Sequence, residues 1–406
     1  MKILTVHNSY QQPGGEDKVA AAEAELLMAR GHTVVYYRRD NRELGEKQRP
    51  FRILGTAART IWSAQSYAAL SKLLARERPD IAHFHNTFPL ISPAGYYACA
   101  NAGVPVVQTL HNYRLLCPAA TCFRNGAVCE LCLKRPLPWP GVMHACYRNS
   151  RLQTAVAAAM LATHRCLKTW QQKVKMYIAL SEFSRNKFVE AGLRPDCVRV
   201  KPNFVSDPGR PDSRQKQSSR QYALYVGRLA PEKGIHDALF AWRMSKLDIP
   251  LLIAGDGPLR EDVRQSIAAQ GSRKIEYLAC VSPAAVTTLM RDAHFLIFPS
   301  NWYECFPLTI VEAFACGLPV IGSRLGALAE IIRDGSTGLL FTPTDTSDLS
   351  AKIDWAWTHP AELAQMGRAA RAEYVAKYAP ERNYEQLMDI YHAVLANRGD
   401  HAENEI

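Results

Sequence analysis

The sequence lacks long apolar runs. No stretch reaches the roughly 18 consecutive apolar residues that a membrane-spanning helix needs. The N-terminal residues Met1–Asn8 also lack an apolar core long enough for a secretory signal. Both absences argue against membrane-spanning and exported proteins. We therefore expect a cytoplasmic protein, and a peripheral position on the inner face of the cytoplasmic membrane stays open.

Two sequence signatures are missing as well. The chain has no G-x-G-x-x-G fingerprint, which argues against an oxidoreductase that binds a nicotinamide dinucleotide. It has no aromatic stacking motif and no recognition helix beside its cysteines, so the net charge of +11 does not indicate nucleic-acid binding. Positive charge also suits anionic lipid, a phosphorylated substrate or plain solubility. We expect no nucleic-acid partner.

The order of predicted elements indicates two domains, which 406 residues also favour. Short apolar runs alternate with helix-prone segments, as in a parallel sheet covered by helices on both faces. The alternation stops in a polar stretch and then resumes, so we interpret that stretch as a linker. The predicted strands are Ile3–Val6, Thr33–Tyr37, Ile81–His85, Val104–Thr109 and Tyr177–Leu180, then Tyr222–Val226, Leu251–Ala254, Ile275–Leu278, Phe295–Phe298 and Val320–Ile321.

The predicted fold class is therefore α/β, with two doubly wound Rossmann-like domains. The expected boundaries are 1–205 for the N-terminal domain, 206–220 for the linker, 221–379 for the C-terminal domain, and 380–406 for a C-terminal helix that packs elsewhere or returns to the N-terminal domain.

Two glycine-containing segments of the second half directly follow predicted strands. In Gly227–Gly234, a glycine at the strand end lets a ligand approach the backbone, and Arg228 and Lys233 can both face a diphosphate. Gly255 begins a similar turn from strand to helix. Alone, each segment is as well explained by an ordinary turn, but their shared place at strand ends favours a ligand site.

A third segment joins a predicted strand to a helix, and it carries Glu304 and Glu312 eight residues apart. Eight residues are a little over two helical turns, so both carboxylates can lie on one side. Such pairs also occur on solvated helix faces. A proline at the first helical position would leave amide groups free to bind phosphate. The residues expected around this phosphate site are Phe306, Pro307, Leu308 and Thr309, and Pro307 itself has no N–H to donate.

These motifs resemble the second domain of glycosyltransferase family 4, which has the GT-B fold of two domains facing a central cleft. The resemblance covers residues 221–345 and rests on "VGRLAPEKGI", "IAGDGPLR", "FPSNWYECFPLTIVEAFACGLPVI" and "GALAEIIRDGSTGLLF". It implies that Arg228 and Lys233 bind the donor diphosphate, that Glu304 contacts the transferred sugar, and that Glu312 contacts the ribose.

In the first half, Gly14 and Gly15 resemble the glycine-rich loop that approaches the diphosphate in this family, although two glycines alone equally suit a tight turn. His111 follows a predicted strand and resembles the active-site histidine of the family. Its alternative is a hydrogen-bonded structural histidine. His83 and His85 alternate on one strand and so point the same way, and we expect them to support the core rather than catalyse.

The resemblance implies a retaining hexosyltransferase that uses a UDP-sugar or GDP-sugar donor and a glycan acceptor, such as a lipid-linked intermediate of cell-surface polysaccharide. Cationic side chains and helix amides can stabilise the leaving diphosphate, so we expect no catalytic divalent metal. The chain also has no Asp-x-Asp pair, which carries the metal in the other main glycosyltransferase fold. The alternatives are a nucleotide-sugar-binding protein without turnover and a zinc-containing nucleic-acid-binding protein.

The segment 117–146 forms a cysteine-rich insertion with the pattern C-x11-C-x2-C-x13-C. One C-x2-C knuckle flanked by two single cysteines favours a structural zinc ion, with Cys122 left over. Buried free thiols and a reversible disulfide are the alternatives. The predicted ligands are Cys117, Cys129, Cys132 and Cys146.

Residues 47–78 mix basic and aromatic side chains, including Arg59, Trp62 and Lys72. An amphipathic helix of this composition can lie on an anionic membrane surface, but a surface helix packed on the first sheet explains it equally well.

Overall fold

The computed structural model describes residues 1–11, 14–44, 50–209, 221–269 and 274–396, and only the backbone of 50–54. The chain forms two compact units. The first comprises 1–122, 130–202 and residues from 383 onward, and the second comprises 123–129 and 203–382. Most of the linker predicted at 206–220 and the start of the 47–78 segment lie outside the described residues.

The strands are β1 Lys2–Ser9, β2 Thr33–Asp40, β3 Ile81–Asn86, β4 Val106–Thr109, β5 Phe123–Arg124, β6 Ala127–Val128, β7 Met176–Ala179, β8 Val198–Val200, β9 Ala223–Val226, β10 Leu251–Ala254, β11 Ile275–Ala279, β12 Phe295–Phe298, β13 Val320–Ser323 and β14 Gly338–Phe341. The α-helices are α1 Gly15–Ala29, α2 Pro50–Ile61, α3 Ala64–Glu77, α4 Ala94–Asn101, α5 Trp139–Met143, α6 Arg151–Cys166, α7 Thr169–Gln172, α8 Glu182–Glu190, α9 Ile235–Met244, α10 Arg260–Ala268, α11 Pro283–Asp292, α12 Leu308–Ala315, α13 Ala327–Ile331, α14 Thr346–Thr358, α15 Pro360–Lys377 and α16 Pro380–Ala396.

Each unit contains a parallel six-stranded sheet. The strand order is β2-β1-β3-β4-β7-β8 in the first and β11-β10-β9-β12-β13-β14 in the second. In both sheets the order reverses beside the first strand, between β1 and β3 and between β9 and β12. Ligands of open α/β sheets bind beyond the carboxyl ends of the strands at such reversals. The predicted α/β class with two doubly wound units is confirmed.

Alternate residues of the second sheet pack on opposite faces. Ala223 and Tyr225 of β9 belong to one buried cluster, with Trp242 of α9. Leu224, between them, belongs to the other cluster, which includes residues of α12 and α15. This two-residue alternation is what a strand covered on both faces requires. All ten predicted strands occur within a few residues of their predicted bounds.

The first unit receives the last helix of the chain. Leu387, Tyr391 and other apolar residues of α16 pack with Ile3 of β1, Ile81 of β3 and residues of the neighbouring strands. The hydroxyl of Tyr391 also hydrogen-bonds with Nδ1 of His83 at 2.7 Å. Among the described helices, none has the length and hydropathy of a membrane-spanning segment.

Candidate active site

Three loops at the carboxyl edge of the second sheet contact one another through their backbones. Gly255 has φ +152°, and a Cβ there would lie 1.9 Å from the Gly227 carbonyl oxygen. Gly234 has φ +66°, and a Cβ there would lie 1.8 Å from the Pro299 carbonyl oxygen. Glycine is therefore required at both positions, for the backbone conformation and for the close approach. The loops after β9, β10 and β12 are therefore in direct backbone contact with one another.

The predicted donor residues Lys233 and Glu304 meet among these loops. Lys233 Nζ donates to Glu304 Oε1 at 2.5 Å, and Ser300 Oγ donates to the same oxygen at 2.8 Å. The Glu304 side chain is buried, whereas Lys233 is only partly so. The ammonium group can therefore reach a ligand while Glu304 stays fixed.

Aromatic side chains complete this part of the site, and the sequence patterns did not single them out. Lys233 Nζ lies 5.0 Å from the centre of the Trp302 ring. Among the described residues, the buried Trp302 Nε1 has no hydrogen-bond partner, so it can donate to a ligand. The Tyr225 hydroxyl donates to the Arg228 carbonyl oxygen at 3.3 Å and braces the loop. Only their proximity to the motif residues could have indicated them.

The other predicted donor residues lie on these loops or on the helix that follows the loop after β12. Arg228 is exposed on the loop after β9, and Glu312 is half-buried in the second turn of α12. Helix α12 begins at Leu308, and Pro307 is its N-cap with ψ 95°, so the expectation that proline takes the first helical position was wrong by one residue. The first amide groups of α12, on Leu308 and Thr309, lack carbonyl partners within the helix and can bind an anion. Phe306 immediately precedes the cap.

In the first unit, Gly14 is the N-cap of α1 and Gly15 begins the helix. The Gly14 N–H donates to Asp17 Oδ2 at 2.7 Å. Among the described residues, none lies nearer than 3.8 Å to a Cβ built at Gly14, so packing against them does not require glycine there. The open space leaves the backbone accessible to a ligand.

Glu16 connects this glycine segment to the loop that carries His111. Its carboxylate accepts hydrogen bonds from Asn112 Nδ2 at 2.6 Å and from the Tyr10 hydroxyl at 3.0 Å. Burial raises the pKa of Glu16, an effect that the two hydrogen bonds partly offset. No sequence pattern indicates this connection, because the partners are far apart along the chain.

His111 is held by a buried histidine. Nδ1 of His85 and Nε2 of His111 are hydrogen-bonded at 3.0 Å. His83 and His85 point the same way, as expected, and both lie beside Glu23, at 3.0 and 3.6 Å from Oε1. Burial lowers the pKa of His111 to about 3. The ring is therefore neutral near pH 7, and its orientation depends on His85.

Among the described residues, Glu23, His83 and His85 form a group whose potential metal-binding atoms lie within 4.8 Å of one another. A metal ion is a poor fit there, because the Lys201 ammonium group already donates to Glu23 Oε2 at 2.8 Å. A second cation at the same carboxylate would be repelled.

The cysteine-rich insertion contains a thiol pair. Cys122 donates a hydrogen bond to the Cys117 sulfur, and this bond lowers the pKa of Cys117 to about 6. Cys132 Sγ lies 3.8 Å from the Pro138 carbonyl oxygen. Within the described part of the first unit, Cys117, Cys132 and Cys146 do not form a three-ligand group with sulfurs within 4.8 Å. Cys129 lies at the end of the segment 123–129. The zinc hypothesis stays a prediction.

Comparison with known proteins places this geometry in a family. A model described as "Glycosyl transferases group 1" matches residues 210–373, and one described as "Glycosyltransferase Family 4" matches residues 13–207.

Several curated relatives are similar to parts or to most of the chain. The chain is 32% identical to D-rhamnosyltransferase WbpZ of Pseudomonas aeruginosa over 40% of its own length and 42% of the relative's, so that match spans less than half of the relative. It is 30% identical to a glycogen synthase of Mycobacterium tuberculosis over 80% of this chain and 70% of that protein. It is 25% identical to a phosphatidyl-myo-inositol mannosyltransferase of Mycobacterium leprae over 96% of both chains.

Among solved structures, HepE of Anabaena in complex with UDP and glucose superposes with a TM-score of 0.69 at 19% identity, covering 97% of this chain and 100% of that one. At this identity the likeness supports the fold alone. Since the two family models together span most of the sequence and the glycogen synthase match covers more than two thirds of both proteins, the chain belongs to glycosyltransferase family 4, with the GT-B fold.

Proposed function

We propose that this chain is a retaining glycosyltransferase that moves a hexosyl group from a UDP-sugar or GDP-sugar to a glycan acceptor. The observation that carries the proposal is the contact between Lys233 and Glu304 within loops that glycine holds together at a strand-order reversal. This arrangement offers a cation and a fixed carboxylate where doubly wound sheets bind ligands.

The donor chemistry follows from the charges present. Breaking the bond between sugar and phosphate leaves negative charge on the diphosphate. Lys233, Arg228 and the first amide groups of α12 can stabilise that charge. Glu304 then contacts the transferred sugar, and Glu312 contacts the ribose. These groups supply the electrostatic stabilisation without a divalent cation.

Retention of configuration is inferred from the family. The departing phosphate oxygen takes the proton of the acceptor hydroxyl on the same face of the sugar, so no separate base is required. The neutral His111, fixed by His85, supplies a hydrogen bond to the donor sugar without adding a charge beside the leaving group.

The acceptor hypothesis is a lipid-linked intermediate of cell-surface polysaccharide. It is supported by relatives that include an O-antigen chain mannosyltransferase of Escherichia coli and a phosphatidyl-myo-inositol mannosyltransferase. We infer a peripheral position at a membrane surface from the basic and aromatic segment 47–78, whose described part comprises α2 and α3.

The test is a thermal-shift panel of UDP, GDP, ADP and their sugar conjugates on the wild type and on Glu312→Ala. We expect one nucleotide to stabilise the wild type by about 2.7 kcal/mol at a concentration 100 times its Kd. Loss of a hydrogen bond to a charged carboxylate should weaken binding by roughly 10- to 100-fold in Glu312→Ala.

Glu362→Ala is the matched control, because Glu362 is exposed on α15 and belongs neither to the three loops nor to α12. The proposed donor site is contradicted if no nucleotide stabilises the wild type. It is also contradicted if a nucleotide stabilises Glu312→Ala as much as Glu362→Ala. Release of free nucleotide that depends on added acceptor would then distinguish turnover from binding alone.

A further inference from the structure

A row of titratable side chains connects His111 to the core of the first unit. Nε2 of His111 and Nδ1 of His85 are hydrogen-bonded at 3.0 Å. The other ring nitrogen of His85, Nε2, lies 3.6 Å from Oε1 of Glu23. The second oxygen of Glu23 accepts a hydrogen bond from the Lys201 ammonium group at 2.8 Å. The charge state of each group in this row therefore affects the next one.

Both histidines of the row are neutral near pH 7. Burial lowers the pKa of His85 well below its usual value and lowers that of His111 to about 3. Lys201 already balances the charge of the Glu23 carboxylate, so the carboxylate does not need an imidazolium ion as its partner. A neutral imidazole has one N–H, which donates, and one nitrogen with a lone pair, which accepts. Each ring therefore has a single proton to place.

The Glu23 carboxylate determines which nitrogen of His85 carries the proton. An ionised carboxylate accepts hydrogen bonds and repels a lone pair that faces it. The N–H of His85 therefore lies on Nε2, towards Glu23, and the lone pair lies on Nδ1. Two other histidines pack beside this ring, His83 with its ring centre at 4.4 Å and His7 at 6.2 Å. His83 also directs a nitrogen, Nδ1, to Oε1 of Glu23, at 3.0 Å.

The proton of His85 in turn determines the position of the proton on His111. Because Nδ1 of His85 has the lone pair, the hydrogen bond between the two rings requires the N–H to lie on Nε2 of His111. The lone pair of His111 then lies on Nδ1. The partner of one ring nitrogen decides whether the other is protonated, so the buried row sets the chemistry of the second nitrogen.

His83 shows that support of the core and control of His111 belong to different side chains. His83 lies on β3, as His85 does, and points the same way. Its hydrogen bonds run instead to the Tyr391 hydroxyl at 2.7 Å and to the Thr109 hydroxyl at 2.8 Å. These bonds join α16 and β4 to the core. Of the two histidines on β3, His85 is the one with a hydrogen bond to His111.

We propose that His85 is a positioning residue that, together with Glu23, fixes His111 in the form with the N–H on Nε2 and the lone pair on Nδ1. His111 therefore accepts a hydrogen bond from a hydroxyl group of the donor sugar. A site that accepts a hydroxyl proton discriminates against a sugar that lacks that hydroxyl group. The contact with the sugar rests on the proposed transferase function, whereas the proton positions of His111 are a property of the free chain.

The first experiment locates the ring proton of His111 by NMR of the full chain with 15N-labelled histidine. The chemical shift of a ring nitrogen differs strongly between an N–H and a lone pair, and couplings to the ring carbon-bound protons distinguish Nδ1 from Nε2. The signals of His111 are those that disappear in His111→Asn. We expect a protonated Nε2 and an unprotonated Nδ1 in the wild type at pH 7. The opposite assignment, or a mixture of the two forms, overturns the proposal.

Variants of His85 test whether this side chain is the cause. His85→Leu removes the acceptor for His111, so both forms of His111 should appear. His85→Gln should keep the wild-type form, because one amide group can donate to Glu23 through its nitrogen and accept from His111 through its oxygen. His83→Leu is the matched control and should leave the form of His111 unchanged, although it removes the bond to Tyr391. Equal effects of His85→Leu and His83→Leu, or no effect of His85→Leu, overturn the proposal.

The contact with the sugar is tested by titrating each variant with UDP and UDP-glucose, and with GDP and GDP-mannose. His85→Leu should weaken binding of the sugar conjugate by roughly 2- to 10-fold relative to the bare nucleotide, the value of one hydrogen bond. His83→Leu should keep the wild-type ratio of the two affinities. Equal ratios in both variants overturn the sugar contact. If none of these molecules binds the wild type, the transferase function is contradicted, whereas the NMR assignment still supports or overturns the role of His85.

Discussion

At the scale of single residues, the first unit depends on one buried ion pair. Lys201 Nζ donates to Glu23 Oε2 at 2.8 Å, and both side chains are almost fully buried. Burial by itself raises the pKa of Glu23, but Lys201, His83 and His85 outweigh it and hold that pKa well below its usual value. The carboxylate therefore contributes stability above the pKa of an unfolded glutamate, about 4.3, and that contribution is lost as the pH falls through the lower folded pKa.

Replacing one partner of this ion pair should destabilise the first unit more than replacing both. We expect Glu23→Gln or Lys201→Met to lower the free energy of unfolding of the first unit by about 3–5 kcal/mol, because each leaves a buried group without its partner. The double variant should be more stable than either single variant. The measurement is amide hydrogen exchange of β1 and β3 at pH 7.

Glu25→Gln is the control, since Glu25 is exposed on the same helix. Its effect should stay within about 0.5 kcal/mol. An equal effect of Glu23→Gln and Glu25→Gln, or an additive double variant, contradicts the assigned role of the pair. The same pair lies behind His85, so the Glu23→Gln variant should also weaken the hold on His111.

At the scale of elements, the donor loops depend on where glycine allows backbones to touch. Gly234 ends the segment that carries Lys233, and its Cα faces the carbonyl of Pro299 at the start of the segment that carries Glu304. Asn301 N–H donates to the Glu232 carbonyl oxygen at 2.9 Å, which adds a second link between these segments. These two contacts join the segments that carry Lys233 and Glu304.

Gly234→Ala should separate them. A Cβ would lie 1.8 Å from the Pro299 oxygen, so the loop after β12 must shift in addition to the strain of a positive φ. Gly335→Ala is the matched control, because Gly335 has φ +72° and a Cβ there meets nothing within 4 Å. We expect the control to lose about 1 kcal/mol of stability and to keep its nucleotide affinity.

The Gly234→Ala variant should lose more stability and bind nucleotide at least about tenfold more weakly, because Lys233 and Glu304 no longer keep their mutual position. Thermal unfolding and nucleotide titration of both variants measure this difference. Identical nucleotide affinities in the two variants would show that the close approach does not organise the donor loops.

At the scale of the whole molecule, the net charge of +11 favours anionic surfaces. If the basic residues of α2 and α3 contact the membrane directly, reversing their charge should weaken membrane binding more than reversing the same number of charges elsewhere. Exposed Arg59 and Lys72 lie on these helices, whereas exposed Lys246 and Arg368 lie in the second unit. Both pairs can be replaced by glutamate with the same change in net charge.

We expect the chain to sediment with vesicles that contain anionic lipid at low salt and to dissociate as salt screens the attraction. Arg59→Glu with Lys72→Glu should bind much less, by about 1 kcal/mol for each basic residue removed near the surface. Lys246→Glu with Arg368→Glu should lose less. If both double variants lose the same amount of vesicle binding, net charge alone explains the binding. If the wild type does not bind, membrane association is contradicted.

Local sequence determined the elements and the donor motif. Apolar runs of strand length predicted both parallel sheets, because a strand buried on both faces needs apolar residues at every position. Glycine directly after a strand predicted a place where a ligand can approach the backbone, whereas the structure shows that Gly255 and Gly234 bring two backbones together, a geometry that only glycine tolerates. Ser181 caps α8 by accepting a hydrogen bond from the Ser184 N–H, and a serine directly before a helix-prone segment is typical of such a cap. These features depend on neighbouring residues, so the sequence displays them directly.

Only the tertiary structure decided which distant residues meet. Glu23 and Lys201 are 178 residues apart, and His83 and Tyr391 are 308 apart. Sequence periodicity cannot predict such partners, because it indicates that a side chain is buried but not which side chain it contacts. The connection of Glu16 to Asn112 and the contact of His85 with His111 both arise where the strand order brings separate loops to one edge. Sheet topology, a long-range property, therefore set the surroundings of the residues that the sequence had named.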